Sequence, residues 1–305
     1  MPQKTIFTAR RLSASTFLVN EVNDVFDENP FLYAILVPSA NTLVLVDTGC
    51  DGRSRTPDPG VTRVRDFLER VPVGANGDRP LNPQGQLGYV VVLTHCHYDH
   101  ILGVEQFAHD SQIVASGHDP SFVSPENLPK HSLCAPLDLP TPTYTPTLVP
   151  HSSLLSSPTG TSLNLRVLHT PGHTPDELAL WHEEERMLYV GDTLYECAPI
   201  IFPSEGSIVR WFESVDDLIA LVRDADSDGG LLTRINAGHQ TAGEPAMDVL
   251  LASKAFMQDV VSGTEPIQRR WQKRGDTFVE YAQKGGRFSL QCPERLVLLA
   301  RRSPI

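Results

Sequence analysis

Val90-Val91-Val92-Leu93-Thr94-His95-Cys96-His97-Tyr98-Asp99-His100 decides how this chain is read. The opening run of valines and a leucine reads as a buried strand. It leads directly into three histidines and an aspartate. Imidazole and carboxylate are metal ligands suited to Zn²⁺ and also to Fe or Mn. His95 and His97 stand two apart, so in an extended chain they point to one side and can grip one ion. Asp99 and His100 follow where the chain enters the helical pattern Ile101–Phe107, which aims them at a neighbouring point and suggests a second ion. A solvated, His-rich turn is the plainer alternative. Clustering at ligand spacing straight after an apolar strand argues against it.

Outward from this stretch, other apolar runs end in residues of the same kind. Asp47-Thr48-Gly49 follows Thr42–Val46, and Thr170-Pro171-Gly172-His173-Thr174 follows the alternating run Leu163–Leu168. Tyr189-Val190-Gly191-Asp192-Thr193 and Ala237-Gly238-His239 come later. Together with His95-x-His97-x-Asp99-His100, these segments resemble, in order, the motifs of the metallo-β-lactamase superfamily of hydrolases. The resemblance covers most of the chain and implies an α/β (α+β) fold, an αββα sandwich of two mixed β-sheets flanked by helices.

The resemblance also implies roles. His95, His97 and His173 would hold the first metal, Asp99, His100 and His239 the second, and Asp192 would bridge them. The implied cofactor is two Zn²⁺, with Fe or Mn as alternatives. Attack by metal-bound hydroxide on a carbonyl would follow, with Asp99 and Asp192 as the catalytic carboxylates. Asp47 would orient the metal loops; its plainer role is to cap a turn. No motif position offers Cys, unlike lactamases with a thiolate ligand, so the set is similar to glyoxalase II enzymes and lactonases. The chain is also similar to fungal lactamases that act on benzoxazolinones.

The bulk numbers narrow the choice. A net charge of −12 argues against nucleic acid or an anionic membrane as the main partner and leaves a small-molecule substrate. Five scattered cysteines make no disulfide scaffold and fit a reducing compartment. The N-terminus lacks a secretory pattern, and no apolar run is long enough to span a bilayer, so a cytoplasmic protein is expected.

The remaining elements read from pattern. Ser15–Val19, Phe31–Val37, Thr42–Val46 and Gln112–Ser116 are strands; Val61–Val71, Ile208–Ala225 and Pro245–Val261 are helices. Leu178–Trp181 and Arg186–Val190 form a hairpin, and Leu231–Ile235 is a strand leading to His239. The polar loop Asn20–Pro30 would lie near the mouth of the site by resemblance. Residues 117–160, rich in Pro, read as a packed, extended excursion that covers part of the pocket. The expected organisation is a catalytic domain over 1–263 and a C-terminal extension over 264–305. In the extension Thr277–Tyr281 reads as helix and Leu296–Leu299 as strand; it could be a dimer element, a pocket wall or a sheet edge. Arg269, Arg270, Lys273 and Arg274 are candidates for the basic patch that a thioesterase would need for an anionic glutathione moiety; a solvated helix face is the plainer reading.

His109, His118, His131, His151, His169 and His182 fall outside the ligand positions, and Cys96 reads as a small buried filler. Tyr98 either donates to an oxyanion or packs beneath its loop. The function expected is the opening of a small lactam, lactone or cyclic carbamate. A glyoxalase II-like thioesterase is the alternative. A non-catalytic metal-binding sensor or scaffold is the alternative of another class.

Overall fold

A computed structural model describes residues 3–303, which fall into two units meeting in sequence at Val167 and Leu168. Each has its own apolar core, as a chain of this length favours.

The first unit is built on a seven-stranded sheet in sequential order. Its strands are β1 (Phe7–Arg11), β2 (Thr16–Glu21), β3 (Phe31–Val37), β4 (Thr42–Val46), β5 (Gly88–Val92), β6 (Gln112–Ser116) and β7 (Thr147–Val149). β1 to β4 form an antiparallel meander, while β4, β5, β6 and β7 run parallel. The meander is possible because Pro38–Ala40 and Asn41, in the left-handed region, turn the chain tightly between β3 and β4. β4 and β5 are buried along most of their length, as parallel strands covered on both faces must be.

Pairing of Val46 with Val92 ends β4 and β5 level. The residues that follow, Asp47 and Thr94, therefore emerge side by side at one sheet edge. This register is the reason a motif at 47 can serve a motif at 95.

Helix α1 (Val64–Arg70) buries Val64, Phe67 and Leu68 against this core. After β5 the short helix α2 (Tyr98–Ile101) carries Asp99 and His100 on its own first turn rather than before it. A 3₁₀ turn follows at Val104–Gln106. The Pro-rich excursion is ordered into helix α3 (Leu128–His131), β7 and β8 (Leu154–Ser156). Its Cys134, Leu133 and Leu139 pack against Tyr98 and Leu102, beside the His95–His100 turn. β8 pairs antiparallel with β9 (Ser162–His169), which runs through the boundary between units.

In the second unit β10 (Leu178–His182) and β11 (Met187–Tyr189) form the expected hairpin, and β11 lies parallel to β13 (Arg234–Asn236), which pairs with β14 (Ala242–Pro245). The strand before His239 is thus shorter than expected: Leu231 and Leu232 are exposed and lie outside it. Tyr189 faces Asn236, so these parallel strands again end level and deliver Asp192 and His239 to one edge.

Helices α4 (Ile208–Ala225) and α5 (Ala246–Ser262) bury the expected faces, including Val215, Leu218 and Ile219 on one and Val249, Leu250, Phe256 and Val260 on the other. A separate four-stranded sheet has the order β12-β17-β16-β15, formed by β12 (Pro199–Ile201), β15 (Arg269–Lys273), β16 (Asp276–Ala282) and β17 (Ser289–Pro293).

This sheet corrects three local readings. Thr277–Tyr281 lies in strand β16: Val279 and Tyr281 are β-formers buried in the unit's core, and Phe278 on the other face packs against Trp271. Leu296–Leu299 lies in helix α6 (Glu294–Ala300), with Leu296, Val297 and Ala300 inward at helical spacing. Arg269, Arg270 and Lys273 lie on strand β15, not on a helix face. Residues 269–300 thus pack into the second core, joined to it through β12. Among the described residues, no helix is long and apolar enough to cross a membrane.

Candidate metal centre

The first unit supplies His95, His97, Asp99 and His100, all buried. His95 Nε2 and His97 Nδ1 lie 3.0 Å apart, so the pair converges on one point, as the two-residue spacing implies. Asp99 Oδ2 lies 3.3 Å from His100 Nε2 and forms a second pair.

The imidazole tautomers follow from a chain of hydrogen bonds that starts at Asp47. Its Oδ2 accepts from His100 Nδ1 at 2.9 Å and from the Thr94 hydroxyl at 2.8 Å, and its Oδ1 accepts from the Thr94 amide at 2.8 Å. A carboxylate can only accept, so His100 carries its proton on Nδ1 and keeps the Nε2 lone pair for a ligand. The Thr94 hydroxyl spends its proton on Asp47, so its oxygen accepts from His95 Nδ1 at 3.1 Å. His95 Nε2 is therefore also a lone-pair nitrogen. One aspartate fixes both rings, the orienting role expected of it.

The backbone of His100 is held as well. Its carbonyl accepts from the Thr48 amide and the Thr48 hydroxyl, each at 2.8 Å. Cys96 is buried in the first core, where it is a small filler. The Tyr98 phenol donates to Glu28, and its ring meets Phe26 edge-on at 5.1 Å. Burial, with Asp99 and Glu28 nearby, pushes its ionisation far up. Tyr98 thus packs beneath the loop rather than serving as a ready acid.

The second unit supplies His173, Asp192 and His239, also buried. Asp192 Oδ2 lies 4.0 Å from His173 Nε2 and 3.6 Å from His239 Nε2. One carboxylate oxygen thus lies within reach of both imidazoles. The loops are tied to one another: Gly238 donates its amide to Gly191 at 2.7 Å. The His239 ring packs edge-on to Tyr195 at 5.2 Å. Gly172 lies against Trp211, where an added Cβ would come within 2.6 Å of the Trp211 Cα, so only glycine fits the turn before His173.

Two supporting residues escape a reading by motif. Glu177 is fully buried, and its Oε1 accepts from the Asp192 amide at 2.9 Å. Trp211 donates its indole N–H to the Thr193 carbonyl at 2.6 Å. The only sequence signal for Glu177 is an acidic residue close after Thr170–Thr174; Trp211 gives none. The His182 ring, outside the ligand positions, is buried in β10, and burial lowers its pKa.

The chain matches the family model described as the metallo-beta-lactamase superfamily over residues 31–228. It is 32% identical over 312 residues to avaE of Aspergillus versicolor, a protein named as a candidate transcription factor; the match covers 99% of this chain and 90% of that protein. It is 28% identical to a hydroxyacylglutathione hydrolase of Xanthomonas oryzae pv. oryzae, over 73% of this chain and 67% of that one. It is 26% identical to the acyl-coenzyme A thioesterase MBLAC2 of Gallus gallus, over 67% and 70%.

Among solved structures, TTHA1429 of Thermus thermophilus, a metallo-beta-lactamase family protein, superposes with TM-score 0.58 at 21% identity, covering 85% of each chain. The DIM-1 metallo-beta-lactamase does so with TM-score 0.53 at 15% identity, over 84% of this chain and 99% of that one. The likenesses in structure establish the fold. With the family match spanning most of the chain, His and Asp donors at strand ends and an α/β architecture to hold them, this protein belongs to the metallo-β-lactamase superfamily.

Proposed function

We propose that this chain is a dinuclear metal hydrolase that opens a small lactam, lactone or cyclic carbamate. His95, His97 and His173 would hold one ion, Asp99, His100 and His239 would hold the other, and Asp192 would serve both. One observation carries the reading. The first unit offers two separate donor pairs, with both Nε2 lone pairs set by Asp47, and the second offers one carboxylate oxygen between two imidazoles.

The donors fit such a guest. Asp99 and Asp192 are each 5% exposed, and a carboxylate removed from water needs a counter-charge. Nitrogen and oxygen donors without thiolate suit Zn²⁺, and Fe or Mn as well. When bound, such a pair supplies Lewis acidity and lowers the pKa of coordinated water to about 7. Asp99 would accept a proton from the attacking water. Asp192 would be a ligand of the pair, and its backbone amide is held by Glu177. The net charge of −12 supports a small, uncharged substrate over a polyanion.

The thioesterase reading is favoured by the names of two relatives. It needs cations for an anionic thiol carrier, and the arginines suggested for that role are engaged: Arg269 lies 3.5 Å from Glu280, and Arg270 lies 2.9 Å from Glu294.

The test is a panel of lactam, lactone, cyclic carbamate, thioester and phosphodiester, offered to zinc-loaded protein and to Asp192→Asn. Ring opening by the parent and none by the variant is expected. Phosphodiester turnover alone overturns the proposal. Thioester turnover alone, lost on replacing Arg269 and Arg270 by alanine, moves it to the second reading. Bound metal with no turnover at all leaves a binding module.

A further inference from the structure

Along β2 the inward positions are Phe17, Val19 and Glu21, all fully buried. Alternation places Glu21 where an apolar core residue belongs. A carboxyl group there forfeits hydration, and that cost is offset only by the hydrogen bonds it makes. Those bonds go to one place. Glu21 Oε2 accepts from the Cys50 amide at 2.8 Å, and Oε1 accepts from the Gly52 amide at 2.9 Å.

The segment so gripped begins with Asp47, whose carboxylate fixes the tautomers of His95 and His100, and with Thr48, which holds the His100 carbonyl twice. Immediately before the first grip sits Gly49 at φ +74°, where an added Cβ would lie 2.1 Å from Glu21 Oε2. The loop therefore seats directly on the carboxyl group. Nothing in the reaction proposed above uses Glu21, and no metal ligand touches it in the bonds described.

We propose that Glu21 is a positioning residue: it clamps the far end of the 47–52 loop, and through Asp47 and Thr48 it sets the angle at which His100 meets its metal. The inference rests on the dinuclear reading. The near end of the loop is held by the Asp47 amide, which donates to the Val92 carbonyl at 2.9 Å, and the far end by Glu21. The donor that needs close placement is thus supported by a side chain from a different strand of the same sheet.

The test uses the full-length protein loaded with Co²⁺. Its electronic spectrum reports ligand geometry, and chelator competition reports affinity. Two substitutions separate positioning from bulk packing. Glu21→Gln keeps the shape, but its amide offers only one acceptor oxygen to two N–H groups. Glu21→Leu restores the apolar alternation and leaves both amides unpaired. His100→Ala serves as the reference for loss of one ion.

Both Glu21 variants are expected to remain folded, to alter the Co²⁺ spectrum and to bind the weaker ion about tenfold less tightly, the usual cost of losing an outer support of a metal ligand. Glu21→Leu, with both amides unpaired, is expected to lower the urea midpoint as well, whereas Glu21→Gln is expected to lose affinity without a matching drop in urea midpoint, which a merely structural role would not produce. The inference is overturned if both variants keep the parent spectrum and affinity, or if affinity in Glu21→Gln falls only in step with stability. If the parent itself binds no Co²⁺, the dinuclear reading falls and takes this inference with it. If the parent binds two ions and the variants match it, this inference alone fails.

Discussion

Replacing Asp47 by asparagine tests the tautomer argument most directly. Asn tolerates the left-handed backbone that position 47 adopts at φ +61°, so the loop path is preserved and only the acceptor changes. The Asn carbonyl can still accept from the Thr94 amide, where Oδ1 now does so at 2.8 Å. The amide NH₂ then replaces the oxygen that accepts from the Thr94 hydroxyl at 2.8 Å and from His100 Nδ1 at 2.9 Å.

An NH₂ group donates, so it pairs with His100 only if Nδ1 gives up its proton. The proton then moves to Nε2, and the ring loses the lone pair that would bind metal. Holding the ring in its original tautomer instead forfeits a hydrogen bond to a charged acceptor, worth roughly 2 kcal/mol. At about 1.4 kcal/mol per tenfold, that is on the order of 30-fold in affinity for the ion His100 holds. His95 loses less, because its bond reaches Asp47 only through Thr94.

Competition with a chelator of known affinity measures the loss, and ¹⁵N spectra of the imidazoles report which nitrogen is protonated. Biphasic release, with one ion weakened and the other nearly unchanged, is the expected pattern. Affinity equal to that of the parent, with the His100 proton still on Nδ1, would refute the argument.

Two further outcomes follow from the same contacts. Trp211→Phe leaves the Thr193 carbonyl without its 2.6 Å indole donor inside a buried core, which should lower stability by about 1–3 kcal/mol, read as a shift in urea midpoint; an unchanged midpoint would remove Trp211 as a support of the Asp192 loop. Burial pushes the Glu21 carboxyl up to about 8 from 4.5, against the pull of the Cys50 and Gly52 amides. The folded chain therefore retains a proton that the unfolded chain releases between those values. The stability it contributes is complete below about pH 4.5 and is lost as pH rises through about 8. Each tenfold difference in proton affinity between the two states is worth ~1.4 kcal/mol, so the contribution is a few kcal/mol at most. Urea titrations of metal-stripped protein should show the parent weakening towards pH 8 more than Glu21→Gln; parallel curves would contradict it.

Where β-formers or a helical period dominate, residues and structure agree closely. Phe31–Val37 and Thr42–Val46, rich in β-formers and separated by a turn, are strands to the residue, and Ile208–Ala225 is a helix to the residue. Pattern fails where a short apolar run is made mostly of leucine. Leu296–Leu299 satisfies a buried strand and a helix turn equally, and it is a helix where it packs against α4, α5, β16 and β17. The short β12 and β14 carry too few residues for any pattern, and their existence depends on β17 and β13 beside them.

The sequence by itself determined which side chains are available as ligands, their two-residue spacing and their placement after strands, because these are properties of a local segment with a rigid period. The tertiary structure decided which nitrogen of each imidazole carries the lone pair and which buried carboxyl groups hold the loops. Asp47 reaches His100 from 53 positions away, and Glu21 reaches Cys50 from 29. Such partners meet only because level strand ends bring distant segments to one edge, and a hydrogen bond made across that distance leaves no periodic trace in the chain.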